Sequence, residues 1–238
     1  MQSDKLDSPE QWASHDFIEK TMFDTNLTYE ESQLRYSHWV TKGCYDKTFA
    51  NKPTVYAGPN ALREGMKDLI ADKSSARVLD IGCRTGLTGE ILLELGYTNF
   101  DGLDPSKESL KIAREKGIFQ NLYDCAMGGD TPVDIPDNTY DALCMSGVCA
   151  PGQLPVSALP ELFRILKPVT IFSEKLGGYL LNCMREAFLE TVPAYANRFV
   201  PLLETMEKEG KIHQVEWKIY PHHYMDREGV RMIYQKLY

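Results

Sequence analysis

Val78-Leu79-Asp80-Ile81-Gly82-Cys83-Arg84-Thr85-Gly86 decides the fold of this chain, with Asp104 following eighteen residues after the last glycine. Val78, Leu79 and Ile81 form a short apolar run, as expected of a strand buried in a parallel sheet. Gly82 and Gly86 punctuate a tight turn, and Leu87, Ile91, Leu92 and Leu95 then recur at helical spacing. Strand, glycine turn and helix make the first half of a nucleotide-binding βαβ unit, in which helix N–H groups face a ligand at the crevice. Phe100-Asp101-Gly102-Leu103-Asp104-Pro105 makes the second half, a strand ending in an acid placed for ribose hydroxyls. The unit predicts a nucleotide-like cofactor.

From residue 76 onward, strand and helix patterns alternate, which predicts an α/β, doubly wound, mostly parallel Rossmann-like sheet. Strands are expected at 77–81, 99–103, 122–127, 140–145, 178–184, 212–220 and 230–236, seven in all. Helices are expected at 86–95, 106–116, 156–166 and 193–209. No helix separates the final two strands, so they should pair antiparallel, with the last strand reversed. Ahead of this domain (76–238), residues 28–75 read as an N-terminal helical cap. It holds an aromatic-rich stretch at 28–47 and an amphipathic helix at 60–71. Residues 1–27 are polar and weakly periodic, and read as a loose tail, with a capping helix as the alternative.

The chain has 238 residues, enough to bury one substantial core. Its net charge of −8 argues against a broad grip on nucleic-acid phosphates. No apolar run approaches membrane-spanning length, and the start lacks a signal peptide's basic and apolar regions. Cys44, Cys83, Cys125, Cys144, Cys149 and Cys183 form no Cys-x-x-Cys pair, and three fall within expected strands. They read as buried free thiols of a reducing compartment, cytoplasmic with the nucleus also open, and no metal site is expected. His222 and His223 alternate faces on an expected strand, so at least one should be solvated.

The pattern Asp80-x-Gly82-x-x-x-Gly86 differs from a dinucleotide fingerprint, because Arg84 stands where its middle glycine would be. It resembles motif I of the class I S-adenosylmethionine-dependent methyltransferases. Tyr45-Asp46 resembles the pair preceding the core in many of these enzymes. Asn138-Thr139-Tyr140-Asp141-Ala142 resembles the entry to their fourth strand, and Leu166-Lys167-Pro168 the turn before their fifth. Gly152-Gln153-Leu154-Pro155 and Ala158-Leu159-Pro160-Glu161-Leu162 are less common, and most resemble the methyltransferase-like branch of the Williams-Beuren syndrome chromosome region.

The resemblance implies S-adenosylmethionine as cofactor and S-adenosylhomocysteine as product. Asp80 would lie near the methionine amino group, Gly82 and Gly86 would allow close approach, and Asp104 would accept two ribose hydroxyls. Pro105 would pack on the adenine, with Ala126, Met127 and Gly128 at its other edge. Ser146 lies where the family places residues near the transferring methyl, and Tyr36 and Tyr45 could close a lid over the donor. Simpler readings stand beside these. Asp104 could cap the helix after Pro105, Met127 could be plain core, and the tyrosines could anchor the N-terminal helix. Cys149 has no basic partner nearby in sequence, and reads poorly as a nucleophile.

Two departures bear on turnover. The Lys-Pro-Gly-Gly turn of the family is split here, Lys167-Pro168 from Gly177-Gly178, by residues 169–176. Arg84 either obstructs the cofactor's methionine end or pairs its guanidinium with the carboxylate. A β-carbon at the closest approach favours obstruction, in which case Arg84→Gly would tighten binding. No catalytic residue is assigned, since in-line methyl transfer needs alignment more than a nucleophile. The expected function is methyl transfer to a small-molecule or protein acceptor, the alternative being a catalytically impaired binding protein. The oligomeric state is not readable from these residues.

Overall fold

Arg77–Ile81 forms β1 near the middle of a seven-stranded sheet of order β3-β2-β1-β4-β5-β7-β6. The computed structural model describes residues 17–49, 55–129, 132–169 and 177–238. The other strands are β2 (Asn99–Leu103), β3 (Leu122–Tyr123), β4 (Ala142–Ser146), β5 (Tyr179–Arg185), β6 (Ile212–Tyr224) and β7 (Arg227–Lys236). β1 to β5 pair in parallel, whereas β7 runs antiparallel to both β5 and β6. This is the doubly wound, mostly parallel sheet expected from the alternating pattern, with its reversed last strand. The chain leaves β1 toward β2 and β3, then returns to β4 on the other side. The crevice of such a sheet opens at that switch, beyond the carboxyl ends of β1 and β4.

Register sets the crevice. Asp80 lies level with Gly102 and Cys144, so Asp80, Asp104 and Ser146 end three adjacent strands along one edge. Leu79, Ile81, Leu143 and Met145 are buried with Leu162 and Phe163 on one sheet face. Val78, Phe100, Cys144 and Leu181 pack with Leu62, Leu92 and Tyr97 on the other.

Eight α-helices accompany the strands among the described residues. They are α1 (Tyr29–Thr41), α2 (Tyr45–Phe49), α3 (Gly58–Lys67), α4 (Leu87–Glu94), α5 (Lys107–Glu115), α6 (Leu159–Ile165), α7 (Phe188–Thr191) and α8 (Phe199–Lys208). A capping box starts α1: Glu31 N donates to Thr28 Oγ1 at 3.2 Å, and Thr28 N donates to the Glu31 carboxylate at 3.1 Å. α3 crosses β5 closely enough that a Cβ on Gly65 would lie 2.4 Å from Leu181 Cδ1.

The structure departs from expectation at three places. β3 covers two residues rather than 122–127, and Cys125 lies outside it, half-buried. The physical reason is its partner among the described residues: β2 gives way to Asp104-Pro105, and a proline has no N–H to extend the ladder. The helix expected over 193–209 begins at Phe199, because Asn197 takes a left-handed φ of +57°; α7 precedes it. Residues 1–16 of the expected tail lie outside the described residues, but 17–27 are not loose. Ile18–Met22 forms one π-helical turn, and Ile18 and Met22 are buried against the cluster of Tyr36, Trp39, Phe49 and Tyr224. Of the 169–176 insertion, only Val169 is described, its N–H donating to Lys236 O at 3.2 Å. All six cysteines are free. Among the described residues no helix is long and apolar enough to cross a membrane.

Candidate functional site

The turn after β1 is held by the end of β2. Gly82 N and Cys83 N both donate to Leu103 O, at 2.7 and 3.1 Å. Gly82 takes φ +67° against Val148, where a Cβ would lie 2.5 Å from Val148 Cγ2. Arg84 also sits in the left-handed region, at φ +50°. That conformation suits glycine, so the backbone keeps a glycine's geometry under an arginine side chain.

Asp104 is buried and ties this turn to the next helix. Its Oδ2 accepts from Arg84 N at 3.1 Å and its Oδ1 from Ser106 N at 2.8 Å. It is not the helix cap. Ser106 caps α5, its Oγ accepting from Ser109 N at 3.2 Å. Each carboxylate oxygen has a second lone pair, so Asp104 retains acceptor capacity toward the crevice.

Two cavities meet at Arg84. The first is lined by Tyr29, Gln33, Gly82, Leu103, Asp104, Pro105, Ala126, Met127, Gln153 and Leu154. Aromatic rings wall the second, from Phe23, Tyr36, Tyr45, Phe49, Tyr56 and Phe188, together with Ser146, Cys149, Arg185 and His223. Arg84 and Val148 line both. The guanidinium lies 3.8 Å over the Tyr36 ring, donates from Nη2 to Gln153 Oε1 at 2.8 Å, and places Nε 3.9 Å from Asp104 Oδ2. Burial opposes its charge most strongly, and Asp104, Tyr36, Tyr45 and Cys83 together outweigh it and hold the guanidinium charged. Its Nη1 is buried with no partner.

Asp80 presents the complementary deficiency. Only 1% exposed, its carboxylate has Oδ2 buried without a hydrogen bond. Burial, with the Asp104 charge behind it, holds the Asp80 carboxyl well above the usual carboxylate range. An orphan acid and an orphan guanidinium N–H near one glycine turn are complementary to the ammonium and carboxylate of an amino acid.

Of the residues singled out from sequence, Gly82, Arg84, Asp104, Pro105, Ala126 and Met127 line the first cavity. Tyr36, Tyr45 and Ser146 line the second. Gly86 and Gly128 face elsewhere. A Cβ on Gly86 would meet the Phe119 ring at 3.0 Å, and one on Gly128 would meet Pro155 and Ala158. Sequence reasoning passed over Tyr29, Gln33, Tyr56, Arg185 and His223. Tyr29 and Gln33 carried a usable signal, because positions four apart on α1 share a face. Burial pushes the Cys149 thiol up to about 12, which removes the thiolate a nucleophile needs.

Residues 79–173 match the methyltransferase domain family. Human Methyltransferase-like protein 27 is 37% identical over 176 residues, 74% of this chain and 65% of that protein, so the chain spans less than two thirds of that relative. Among solved structures, a chain of the Haloferax volcanii complex between the Trm112 methyltransferase activator and its methyltransferase superposes with a TM-score of 0.61. It is 15% identical, and the match covers 85% of this chain and 98% of that one. The [4+2]-cyclase SpnF superposes with a TM-score of 0.60 at 18% identity, over 89% of this chain and 97% of its own. These similarities show a Rossmann-like methyltransferase fold, with residues 79–173 similar to the methyltransferase domain. The cyclase carries the same fold, so function has to be argued from the site.

Proposed function

We propose that this chain binds S-adenosylmethionine across the two cavities and transfers its methyl group to a small-molecule or protein acceptor. The observation that carries this reading is that two groups on one glycine turn, Asp80 Oδ2 and Arg84 Nη1, are both buried without partners; Arg84 lines the cavity that ends at Asp104, while Asp80 lies behind the turn and lines neither cavity. Asp80 would take the ammonium of the methionine end and Arg84 its carboxylate. Asp104 would accept ribose hydroxyls through the lone pairs its backbone bonds leave free. Pro105, Ala126 and Met127 would sandwich the adenine. Bound there, the cofactor supplies a methyl group already activated by the sulfonium charge.

The residues' remaining work is alignment and exclusion of water. Tyr36, buried on α1, and Tyr45, partly buried on α2, wall the aromatic cavity, and Ser146 stands at the end of β4 beside it. Calorimetry with S-adenosylmethionine, S-adenosylhomocysteine and NAD tests the reading. The two sulfur nucleosides should bind with one-to-one stoichiometry and NAD should not; binding of NAD alone would overturn the proposal.

A further inference from the structure

β6 breaks register with β7 between Tyr220 and Tyr224, and the break turns His223 inward. Along this edge strand most side chains are exposed, yet His223 is buried at 5% exposure. The local backbone is costly: His222 and Met225 take φ of +59° and +55°, in the left-handed region. Such strain is unfavourable for a residue with a side chain and gathers at functional sites, where bulges re-aim side chains. Gly229 on β7 makes room for the result, since a Cβ there would lie 2.7 Å from His223 Cβ and 2.4 Å from Tyr220 Cζ.

The bend delivers an imidazole to the wall of the aromatic cavity. Its ring lies edge-on to Tyr56, 5.3 Å between centroids, and the Tyr56 hydroxyl bonds Ser146 Oγ at 3.1 Å. Gly147 keeps that place open, because a Cβ there would lie 2.5 Å from Tyr56 Oη. His223 Nδ1 faces Tyr220 Oη at 2.5 Å, and the Tyr220 hydroxyl in turn bonds the Cys183 thiol. With the Tyr220 O–H donating to the Cys183 sulfur, the tautomer that fits has Nδ1–H donating to Tyr220 Oη, and Nε2 keeps its lone pair.

We propose that His223 is the proton acceptor for the methyl acceptor, and that this acceptor is a hydroxyl on a flat, uncharged ring seated among Phe23, Phe49, Tyr56 and Phe188. The inference rests on the methyl-transfer reading above and names the substrate class for the same site. The rings supply an apolar slot. Arg84 and Arg185 line it too, which disfavours an ammonium acceptor. Arg185 is paired with the Glu19 carboxylate at 3.1 Å, and Arg84 has its counter-charge in the cofactor's carboxylate on the reading above, so neither demands an anion of the ring. Burial first, and Arg185 second, lower His223 to about 3, so it is an unprotonated base at working pH.

The step balances simply. The hydroxyl oxygen forms its bond to the methyl carbon as the sulfur–methyl bond breaks, and sulfur keeps the electron pair. The hydroxyl proton moves to His223 Nε2. An alkylated hydroxyl is a far stronger acid than imidazolium, so even a weakly basic imidazole takes that proton.

Phenol and anisole are the probes, with and without S-adenosylhomocysteine, read by the imidazole nitrogen resonances of the full chain. Phenol should shift the His223 Nε2 resonance and bind about tenfold tighter than anisole, one hydrogen bond's worth. His223→Leu should erase that preference while S-adenosylhomocysteine binding stays, and His223→Gln should retain part of it. An unmoved His223 resonance in the wild-type chain, or a phenol preference that survives in His223→Leu, would overturn the inference. Phenol binding at His223 without S-adenosylhomocysteine binding would refute the methyl-transfer reading, and the acceptor role with it. Nucleoside binding without a phenol preference refutes this inference alone.

Discussion

The Arg84 amide donates to Asp104 Oδ2 at 3.1 Å, so the tip of the turn after β1 hangs on the acid that ends β2. Ser106 N takes the other oxygen at 2.8 Å. One buried carboxylate thus fixes the turn, holds the N–H of the residue that caps α5 and lines the first cavity. Its structural and binding duties are inseparable in the folded chain.

Asp104→Ala should therefore lower both affinity and stability. Bonds to a charged group contribute roughly 1.5–3 kcal/mol each. Loss of two backbone bonds, allowing overlap, should cost about 2–4 kcal/mol, a fall in Tm of several degrees at this chain length. S-adenosylhomocysteine affinity should drop by a similar amount. Asp104→Asn keeps one acceptor oxygen and should recover much of the stability but less of the affinity. Thermal melts and calorimetry on both variants check this. A Tm unchanged in Asp104→Ala would contradict the tie between turn and helix.

Arg84 separates two opposed possibilities left open by the sequence. The fixed cost of a β-carbon argued for obstruction, but the side chain does fold back over its own turn, stacked on Tyr36 with Nη1 unspent. That arrangement supports carboxylate pairing. Arg84→Met keeps the β-carbon and the length but loses the donors, and should weaken S-adenosylhomocysteine by about 1.5–3 kcal/mol. Adenosine, which has no carboxylate, should bind both proteins alike. Arg84→Gly relieves the left-handed φ, so its loss should be smaller by about 1 kcal/mol. Tighter nucleoside binding in Arg84→Met would restore the obstruction reading.

How far the sequence could be read depended on whether the determinant was local. Val78 to Gly86 carried its own strand, turn and helix signals, and β1, β2 and α4 fall within a residue or so of expectation. Asp104 was visible because it ends an apolar run at a fixed distance from the turn. Helix α1 was expected only as part of an aromatic-rich stretch at 28–47, and its Thr28–Glu31 capping box went unread although it is a local signal. The aromatic cavity was not. Tyr56, Arg185 and His223 come from three separate segments, and their meeting depends on how β6 bends and on which glycines leave space. His223 was hardest to see, because strict alternation places only one of the His222-His223 pair inward and a bulge decides which. Gly86 shows the opposite failing. A motif glycine read as a ligand approach faces Phe119 instead.

Asp80 gives the last prediction, a pH dependence whose sign follows from burial. An ordinary aspartate titrates near ~3.9. In the folded chain burial, and then the Asp104 charge, raise the value well above that. Between the two values the folded state binds more protons than the unfolded one, so stability falls as pH rises through that window. Asp80→Asn has no such proton to lose. Its Tm should match the wild type near pH 4 and exceed it increasingly toward neutral and higher pH, while its affinity for S-adenosylhomocysteine collapses. An ammonium beside Asp80 favours the ionised form, so wild-type binding should release a proton. The observed binding enthalpy should then shift with the buffer's ionisation enthalpy, and that shift should vanish in Asp80→Asn. Parallel melting curves for the two proteins across pH 4 to 8 would show that Asp80 titrates as an ordinary aspartate, without the burial penalty that makes it a waiting partner for a cation.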